Sequence, residues 1–275
     1  RYFIGDVRDL PRLIKAMEDV DIVYHAAALK HVPVVEYNPF EAIKTNVLGS
    51  QNVIDACLHE NIETVVCVGT DKAVSPLNTY GATKLLMEKL FVTASNYTNR
   101  ERHKTKFIAI RYGNVLGSSG SVVPTLLKQI ESGRNITITD PNMTRFNITM
   151  NQALDFIIRS SKKGNGGEVF IPKLKAYSLG ILKEAILEVL EKDVKTELIS
   201  VRPGEKYHES LISSEEIRNT FEDKDDYVIL EDSLQNNIKT KKSTLTNQYS
   251  SDVVECLTKK ELKKILIEEK LVSTK

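Results

Sequence analysis

The sequence predicts an α/β fold, a doubly wound parallel sheet with a smaller mixed α/β portion beyond it. Three observations carry this expectation. Short apolar runs at 21–28, 63–69 and 107–112 do not alternate in polarity, as expected of strands buried on both faces. Segments with apolar residues at helical spacing separate the runs. Each run opens into small or polar residues, Ala26-Ala27-Ala28, Gly69-Thr70-Asp71 and the glycine-rich stretch Gly113 to Gly120.

The 275 residues suffice for two domains or one large one, with a sizeable core. Hydrophobic residues make up 41% and charged residues 27%, and 38 Lys+Arg against 37 Asp+Glu leave a formal charge of +1. That balance excludes disorder and gives no basic stripe for nucleic acid. No apolar run approaches the ~18 residues of a membrane span, so a soluble protein without a membrane partner is expected. Cys57, Cys67 and Cys256 fit neither a disulfide framework nor a zinc site, and no metal is expected. A reducing cytoplasm is the natural compartment.

Taking the elements in order, Arg1 to Asp9 carries neither an initiator Met nor a signal-peptide core. Its apolar triplet reads as a strand running into Gly5-Asp6-Val7, followed by a helix through Leu10, Leu13, Ile14 and Met17. Earlier strand-helix units of such a fold are expected to be missing. A strand from Asp21 to Ala28 precedes a helix opened by Asn38 at the N-cap, Pro39 at N1 and Glu41 at N3. Ala42, Ile43, Val47, Val53, Ile54 and Cys57 continue it. Glu63 to Gly69 is a buried strand, Pro76 to about Ala94 a helix, and Phe107 to Tyr112 the next strand. Beyond about residue 118 the elements shorten: helix 122–132, strand 136–139, helix 151–161, strand 168–172, helix 179–191, strand 197–201 and an amphipathic helix 259–269. Residues 220–250 read as a polar, loop-rich arm. The boundary is drawn between 1–118 and 119–275, with some later segments returning to the first sheet.

The chemistry concentrates in Val68-Gly69-Thr70-Asp71-Lys72-Ala73-Val74-Ser75-Pro76-Leu77-Asn78-Thr79-Tyr80-Gly81-Ala82-Thr83-Lys84. Thr70, Asp71 and Lys72 lie where a strand leaves the sheet, the place where open α/β sheets bind ligands. Tyr80 and Lys84 are four apart on a helix, so the ammonium can sit near the phenol and favour the phenolate. Each piece has a plainer reading alone: a solvated helix face for Tyr80 and Lys84, a surface ion pair for Asp71 and Lys72, a core histidine for His25.

With these residues in this order, the chain resembles the extended short-chain dehydrogenase/reductase family. The resemblance implies a Rossmann-like NAD(P)-binding domain over 1–118 and a mainly substrate-binding portion over 119–275. It places Thr70, Tyr80 and Lys84 as the triad that moves a proton to or from a sugar hydroxyl while hydride passes to or from a nicotinamide. His25-Ala26-Ala27-Ala28, Asn46 in Thr-Asn-Val-Leu-Gly and Arg111-Tyr112-Gly113-Asn114-Val115-Leu116-Gly117 match segments that touch the cofactor or hold the site. The implied cofactor contacts are Asp6, Val7, Ala26, Ala27, Ala28, Lys30, Asn46, Tyr80, Lys84, Tyr112, Asn114 and Val115, with NADP, or NAD, as the cofactor.

Within that family the chain is similar to the soluble, inverting nucleotide-sugar 4,6-dehydratases of pseudaminic acid and polysaccharide biosynthesis. Thr70-Asp71-Lys72-Ala73, the run to Lys84, Ala28 to Pro33, Met143-Thr144-Arg145-Phe146 and Arg202 to Glu209 carry this similarity. Membrane-anchored and retaining members commonly carry Met where this chain has Tyr80. Loss of water across C5 and C6 of a hexose needs a ketone at C4 first, then a base for C5 and an acid for the departing C6 hydroxyl. Lys72 is the expected base, with its pKa drawn down, and Asp71 the acid, held protonated by desolvation. The resemblance implies a UDP-N-acetylglucosamine substrate contacted by Lys30, Asn114, Val122, Ile138, Arg145, Arg202 and Glu205, the arginines serving the diphosphate. A homo-oligomer, a dimer or larger, is implied through the helices opening at Asn38 and Pro76.

The chain departs from the family pattern in one respect. It holds no Gly-x-x-Gly-x-x-Gly loop after a first strand, so by itself it is expected to bind dinucleotide poorly. Two alternatives stay open: a nucleotide-sugar 4-epimerase using the same triad, and a catalytically silent cofactor-binding fragment.

Overall fold

The structure is a computed structural model and describes residues 1–97, 103–230 and 240–272. The helices are α1 (Leu10–Met17), α2 (Val32–Tyr37), α3 (Pro39–Ala42), α4 (Gly49–His59), α5 (Thr79–Tyr97), α6 (Val122–Glu131), α7 (Met150–Lys163), α8 (Leu179–Val189) and α9 (Lys259–Glu268). The strands that matter here are β1 (Ile22–His25), β2 (Thr64–Val68), β3 (Lys106–Ile110), β4 (Asn114–Val115), β5 (Ile136–Ile138), β6 (Thr144–Ile148), β7 (Val169–Pro172), β8 (Ala176–Ser178), β9 (Thr196–Leu198), β10 (Thr220–Glu222), β11 (Asp226–Ile229) and β12 (Lys241–Lys242). They fall into two compact units, Arg1–Tyr112 with Asp155–Lys173 and Leu211–Gln248, and Gly113–Leu154 with Leu174–Ser210 and Tyr249–Lys275.

The first unit is built on a seven-stranded sheet in the order β1-β2-β3-β7-β11-β10-β12. The first four strands are parallel, with Ile22 opposite Thr64, Thr64 opposite Lys106 and Ala109 opposite Val169. β2 and β3 are central, which explains their unbroken apolar sequences. On one face Val66, Ile108, Ile110, Phe156, Phe170 and Val228 form a core. On β3's other face Phe107 meets the edge of Phe91 from α5, with ring centroids 6.1 Å apart.

Four expectations are corrected here. The triplet Tyr2-Phe3-Ile4 forms no strand: among the described residues it has no ladder partner, and Arg12 holds it instead, with its guanidinium 4.8 Å from the Phe3 ring and Nε donating to the Ile4 carbonyl. Asn38 is not a side-chain N-cap, because its amide donates backward to Val34 O at 3.0 Å and closes α2. Glu41 accordingly pairs with Lys44 and Arg8, and a π-helical turn, Ile43–Leu48, joins α3 to α4. The helix expected from Pro76 begins at Thr79, since Asn78 Oδ1 accepts the Gly81 N–H at 2.8 Å. The polar arm at 220–250 contains β10, β11 and β12, and these extend the sheet by antiparallel pairings, β11 on β7, β10 on β11 and β12 on β10. Their runs are too short and too acidic to announce themselves, although Val228 joins the core and Phe221 packs against it. Residues 231–239 of that arm lie outside the described residues.

The second unit carries a small sheet, β4-β6-β8, and a parallel pair, β5 with β9. Its core collects Leu126, Ile136, Met143, Tyr177, Leu182 and Leu262. Gly117 sits at φ +79°, and a Cβ there would lie 2.3 Å from Leu271, so the turn demands glycine twice over.

Candidate active site

At the carboxyl end of β2 the chain passes through Gly69, where a Cβ would lie 2.3 Å from the Ile110 carbonyl oxygen. Thr70 then caps a 3-10 turn, Asp71–Ala73. That turn brings the two charges into one another's reach. Lys72 Nζ donates to Asp71 Oδ1 at 3.0 Å, and Thr70 Oγ1 donates to the same oxygen at 2.9 Å. The Asp71 side chain is 1% exposed and that of Lys72 27%. Asp71 Oδ2 is buried with no hydrogen-bond partner. The first turn of α5 packs directly on this turn, because a Cβ on Gly81 would lie 2.3 Å from the Lys72 carbonyl oxygen.

Tyr80 is thereby held beside the pair, buried and hydrogen-bonded to Thr70. Burial raises its pKa; the charge of Lys72 opposes that shift and Asp71 reinforces it. This corrects the expectation for Lys84. Its ammonium is buried and donates to the Val68 carbonyl at 2.8 Å, so the cation acting on the phenol is Lys72. Desolvation lowers the pKa of Lys84 itself.

Beside β2, β1 ends at His25 and opens into Ala26 and Ala27, both exposed, and half-buried Ala28. Asn46 is fully buried and does not face that surface. Its Oδ1 accepts the Leu29 N–H at 2.7 Å, and its Nδ2 donates to Leu29 O and to Thr83 Oγ1, each at 3.0 Å. Lys30 is exposed. Asp6 is exposed and gripped by Arg8, whose hydrogen bonds hold its carboxyl down at about 2. The Val7 carbonyl accepts from Asn52 at 3.1 Å. The Tyr112 ring packs edge-on against Phe156, while its carbonyl accepts the Asp71 N–H.

In the second unit Asn114 and Asn147 are register partners on β4 and β6, and Oδ1 of each is buried without a partner. Val115 lies opposite Ile148. Arg145 is one of the two arginines expected at the diphosphate. It is buried, with NH1 donating to the carbonyls of Thr144 and Tyr207 and NH2 3.3 Å from Glu205 Oε1. Glu205 also accepts the Arg202 N–H at 3.4 Å, and the Arg202 side chain is exposed. Ile138 lies in the unit's core with Val122 packed against it, because β5 turns that residue inward. Sequence reasoning missed Ser50 and Thr83, which complete the surroundings of Asn46; the spacing of Ser50, four residues beyond Asn46 on a helix, was the available signal. Among the described residues, no group of three or more His, Cys, Asp or Glu is placed to hold a metal ion, and no helix is long and apolar enough to cross a membrane.

Residues 1–231 match the profile of a family described as polysaccharide biosynthesis protein. The chain is 48% identical over 230 residues to a UDP-N-acetylglucosamine 4,6-dehydratase (inverting) of Campylobacter jejuni, covering 83% of this chain and 67% of that protein. It is 38% identical to a UDP-glucose 4-epimerase of Rickettsia rickettsii, covering 97% and 80%. A protein of Methanocaldococcus jannaschii named an uncharacterized membrane protein is 44% identical over 98% of this chain and 80% of its own length. Among solved structures, Pen from Bacillus thuringiensis superposes with a TM-score of 0.91 at 40% identity, covering 99% of this chain and 82% of that one.

Proposed function

The chain belongs to the polysaccharide biosynthesis protein family, within the extended short-chain dehydrogenase/reductases, and from that premise we propose that it is a nucleotide-sugar 4,6-dehydratase acting on UDP-N-acetylglucosamine with inversion at C5. The observation that carries this reading is the Asp71–Lys72 pair, a buried carboxylate and a half-buried ammonium 3.0 Å apart beside Tyr80. Transfer of a hydride to and from C4 alone needs no such pair; elimination across C5 and C6 needs both an acid and a base.

The residues present fit a nicotinamide dinucleotide. Ala26 and Ala27 expose a ledge with nothing beyond Cβ at the carboxyl end of β1, where such ligands lie, and Lys84 sets a buried cation behind the adjacent strand end. Asp6, Val7, Ala26, Ala27, Ala28, Lys30, Tyr80, Lys84, Tyr112, Asn114 and Val115 would hold it, with NADP as the form proposed and Asn46 acting from behind. Bound there, it would supply the acceptor for the C4 hydride and the donor of a hydride to C6.

The chain's own residues move the protons. Tyr80, as phenolate, takes the proton of the C4 hydroxyl, aided by Thr70. Lys72, as free amine, takes the C5 proton, now acidic beside the C4 ketone. Asp71, protonated, gives its proton to the departing C6 hydroxyl, so one water leaves and a C5–C6 double bond forms. The existing hydrogen bond between Asp71 and Lys72 makes the neutral pair one proton transfer away from the ion pair. Lys72 then returns a proton to C5 on the opposite face, C4 stays a ketone, and the proton taken by Tyr80 passes to Asp71, which restores both groups for the next turnover. In the second unit, the Arg202 guanidinium and the Nδ2 donor of Asn114 are the groups proposed for the nucleotide diphosphate, with Arg145 and Glu205 shaping the Arg202 turn. We place the reaction in surface-glycan or nonulosonic acid biosynthesis, in the cytoplasm. The oligomer contact is placed on the exposed apolar residues Tyr37, Phe40, Leu48 and Leu77.

One observation favours a second reading, a UDP-sugar 4-epimerase: identity to such an enzyme runs along 97% of the chain. Full-length protein incubated with UDP-N-acetylglucosamine and catalytic NADP in deuterated water separates the two. A product lighter by one water, with deuterium at an inverted C5, is expected. An isobaric product would replace this reading with the epimerase.

A further inference from the structure

A buried line of hydrogen bonds runs from the end of β1 to the first turn of α5, and none of its members enters the proton transfers above. His25 Nε2 lies 2.9 Å from Ser50 Oγ, and Ser50 Oγ donates to the Asn46 carbonyl at 2.6 Å. A serine hydroxyl has one proton, and it is spent on Asn46. His25 must therefore donate, which fixes its tautomer as Nε2–H. Asn46 is equally determined, because Leu29 supplies both a donor to its Oδ1 and an acceptor for its Nδ2. The second Nδ2 proton goes to Thr83 Oγ1, whose own proton goes to the Tyr80 carbonyl at 2.9 Å. Every bond in the line thus has one direction. His25, Ser50, Asn46 and Thr83 are all buried, and the imidazole is stacked on Phe91 at 5.5 Å.

The line joins two things the proposed chemistry needs in fixed relation. Leu29 follows the Ala26–Ala28 ledge, and Tyr80 is the proton acceptor. Asn46 bonds Leu29 directly and reaches the Tyr80 carbonyl through Thr83, and it is presented from the π-helical turn Ile43–Leu48 that interrupts the α3–α4 run. Such turns recur at functional sites. Resting on the reading of the site given above, we propose that His25 and Ser50 are positioning residues: through the Asn46 carbonyl they fix the carboxamide that ties the ledge to the turn carrying Tyr80. Burial, with the charge of Lys84 adding to it, holds the imidazole pKa down to about 3, so the single donor at Nε2 persists across the working pH range.

Two variants test this in the full-length protein. Ser50→Ala deletes the relay, and His25→Phe deletes the donor while keeping an aromatic ring against Phe91. Amide hydrogen exchange is read without substrate or cofactor. The expected result is a rise of about tenfold in exchange across residues 26–31 and 79–84 in both variants, the size of one lost net hydrogen bond, with 64–68 and 179–189 unchanged. In turnover, kcat falls about tenfold with KM for the sugar nucleotide within about twofold, and the double variant loses no more than either single one. His25→Gln, which restores an N–H donor, recovers part of kcat. Exchange unchanged at 26–31 and 79–84, or raised uniformly along the chain, overturns the proposal. If the wild type fails to turn over UDP-N-acetylglucosamine, the function assigned above falls, while the exchange experiment still decides this one.

Discussion

Two buried ion systems in the first unit differ in one respect, and the difference separates scaffolding from chemistry. Arg111 is 1% exposed and spends all five of its N–H donors: on Glu88 at 2.6 and 2.7 Å, on Glu216 at 2.7 and 3.0 Å, and on the Leu211 carbonyl at 3.1 Å. Burial alone would lower its pKa, yet Glu88 and Glu216 raise it. Nothing in that cluster is left to react, and its effect is to pin the Leu211–Asn219 segment to the sheet. Asp71 is buried as deeply, but both its bonds fall on Oδ1 and Oδ2 has none. A buried polar atom without a partner costs about 1–3 kcal/mol. A site that tolerates the cost is one prepared for a group that arrives.

The comparison breaks if the two systems respond alike to substitution. Asp71→Asn keeps the shape and the acceptor for Thr70 but cannot donate a proton as an acid. Dehydration is expected to fall by about 10²–10⁴-fold, while the urea midpoint moves by no more than about 1 kcal/mol equivalent. Arg111→Leu should do the reverse. It leaves Glu88 buried without its counter-charge and Glu216 held by Ser213 alone, at a cost of about 3–5 kcal/mol out of a total stability of about 5–15. Urea unfolding would measure it, and a loss under about 1 kcal/mol would mean that Arg111 is not the clamp described.

A third substitution sharpens how closely the reactive pair depends on its support. Gly81→Ala places a methyl 2.3 Å from the Lys72 carbonyl oxygen, and both atoms belong to backbone-fixed turns. One of them must move, at a cost of about 1–3 kcal/mol. Because the turn that moves carries Asp71 and Lys72, kcat should fall further than the stability loss alone explains. Parallel melting and turnover measurements on this variant read both; unchanged kcat would detach Gly81 from the site.

The sheet, the strand ends and the turn that holds the candidate site were legible because their signals are local. β2 and β3 read as strands since both faces are covered, and Thr70 to Lys84 lies within one strand-turn-helix passage. What stayed hidden depends on partners remote in sequence. Tyr2-Phe3-Ile4 has the composition of a strand, but a strand exists only with a ladder partner. β6 is buried at every position although it reads Thr-Arg-Phe-Asn-Ile, because Arg145 is satisfied by carbonyls that include that of Tyr207, 62 residues on. Helical spacing placed Lys84 on the face of Tyr80, yet it could not reveal that the ammonium donates to the Val68 carbonyl. Family resemblance names a residue's place; whether its side chain is free, as at Arg202, or spent, as at Arg145, belongs to the fold.

His25 offers a third case, a buried titratable group that is satisfied but uncharged, and it carries the smallest of these effects. Its folded pKa of about 3 lies below the unfolded value of 6.5. The native state therefore binds fewer protons between those values, and stability drops as pH falls. The contribution is complete above pH 6.5 and is lost at about 1.4 kcal/mol per pH unit below it. His25→Phe removes the titration and keeps the stack on Phe91. Lys84, the neighbour whose charge acts on the ring, is present in both proteins. The stability difference, wild type minus variant, should thus shrink by about 1 kcal/mol between pH 7 and pH 5.5, read from urea midpoints. A difference independent of pH would show that the imidazole accepts its proton without penalty, and the neutral, single-donor state assigned to His25 would go with it.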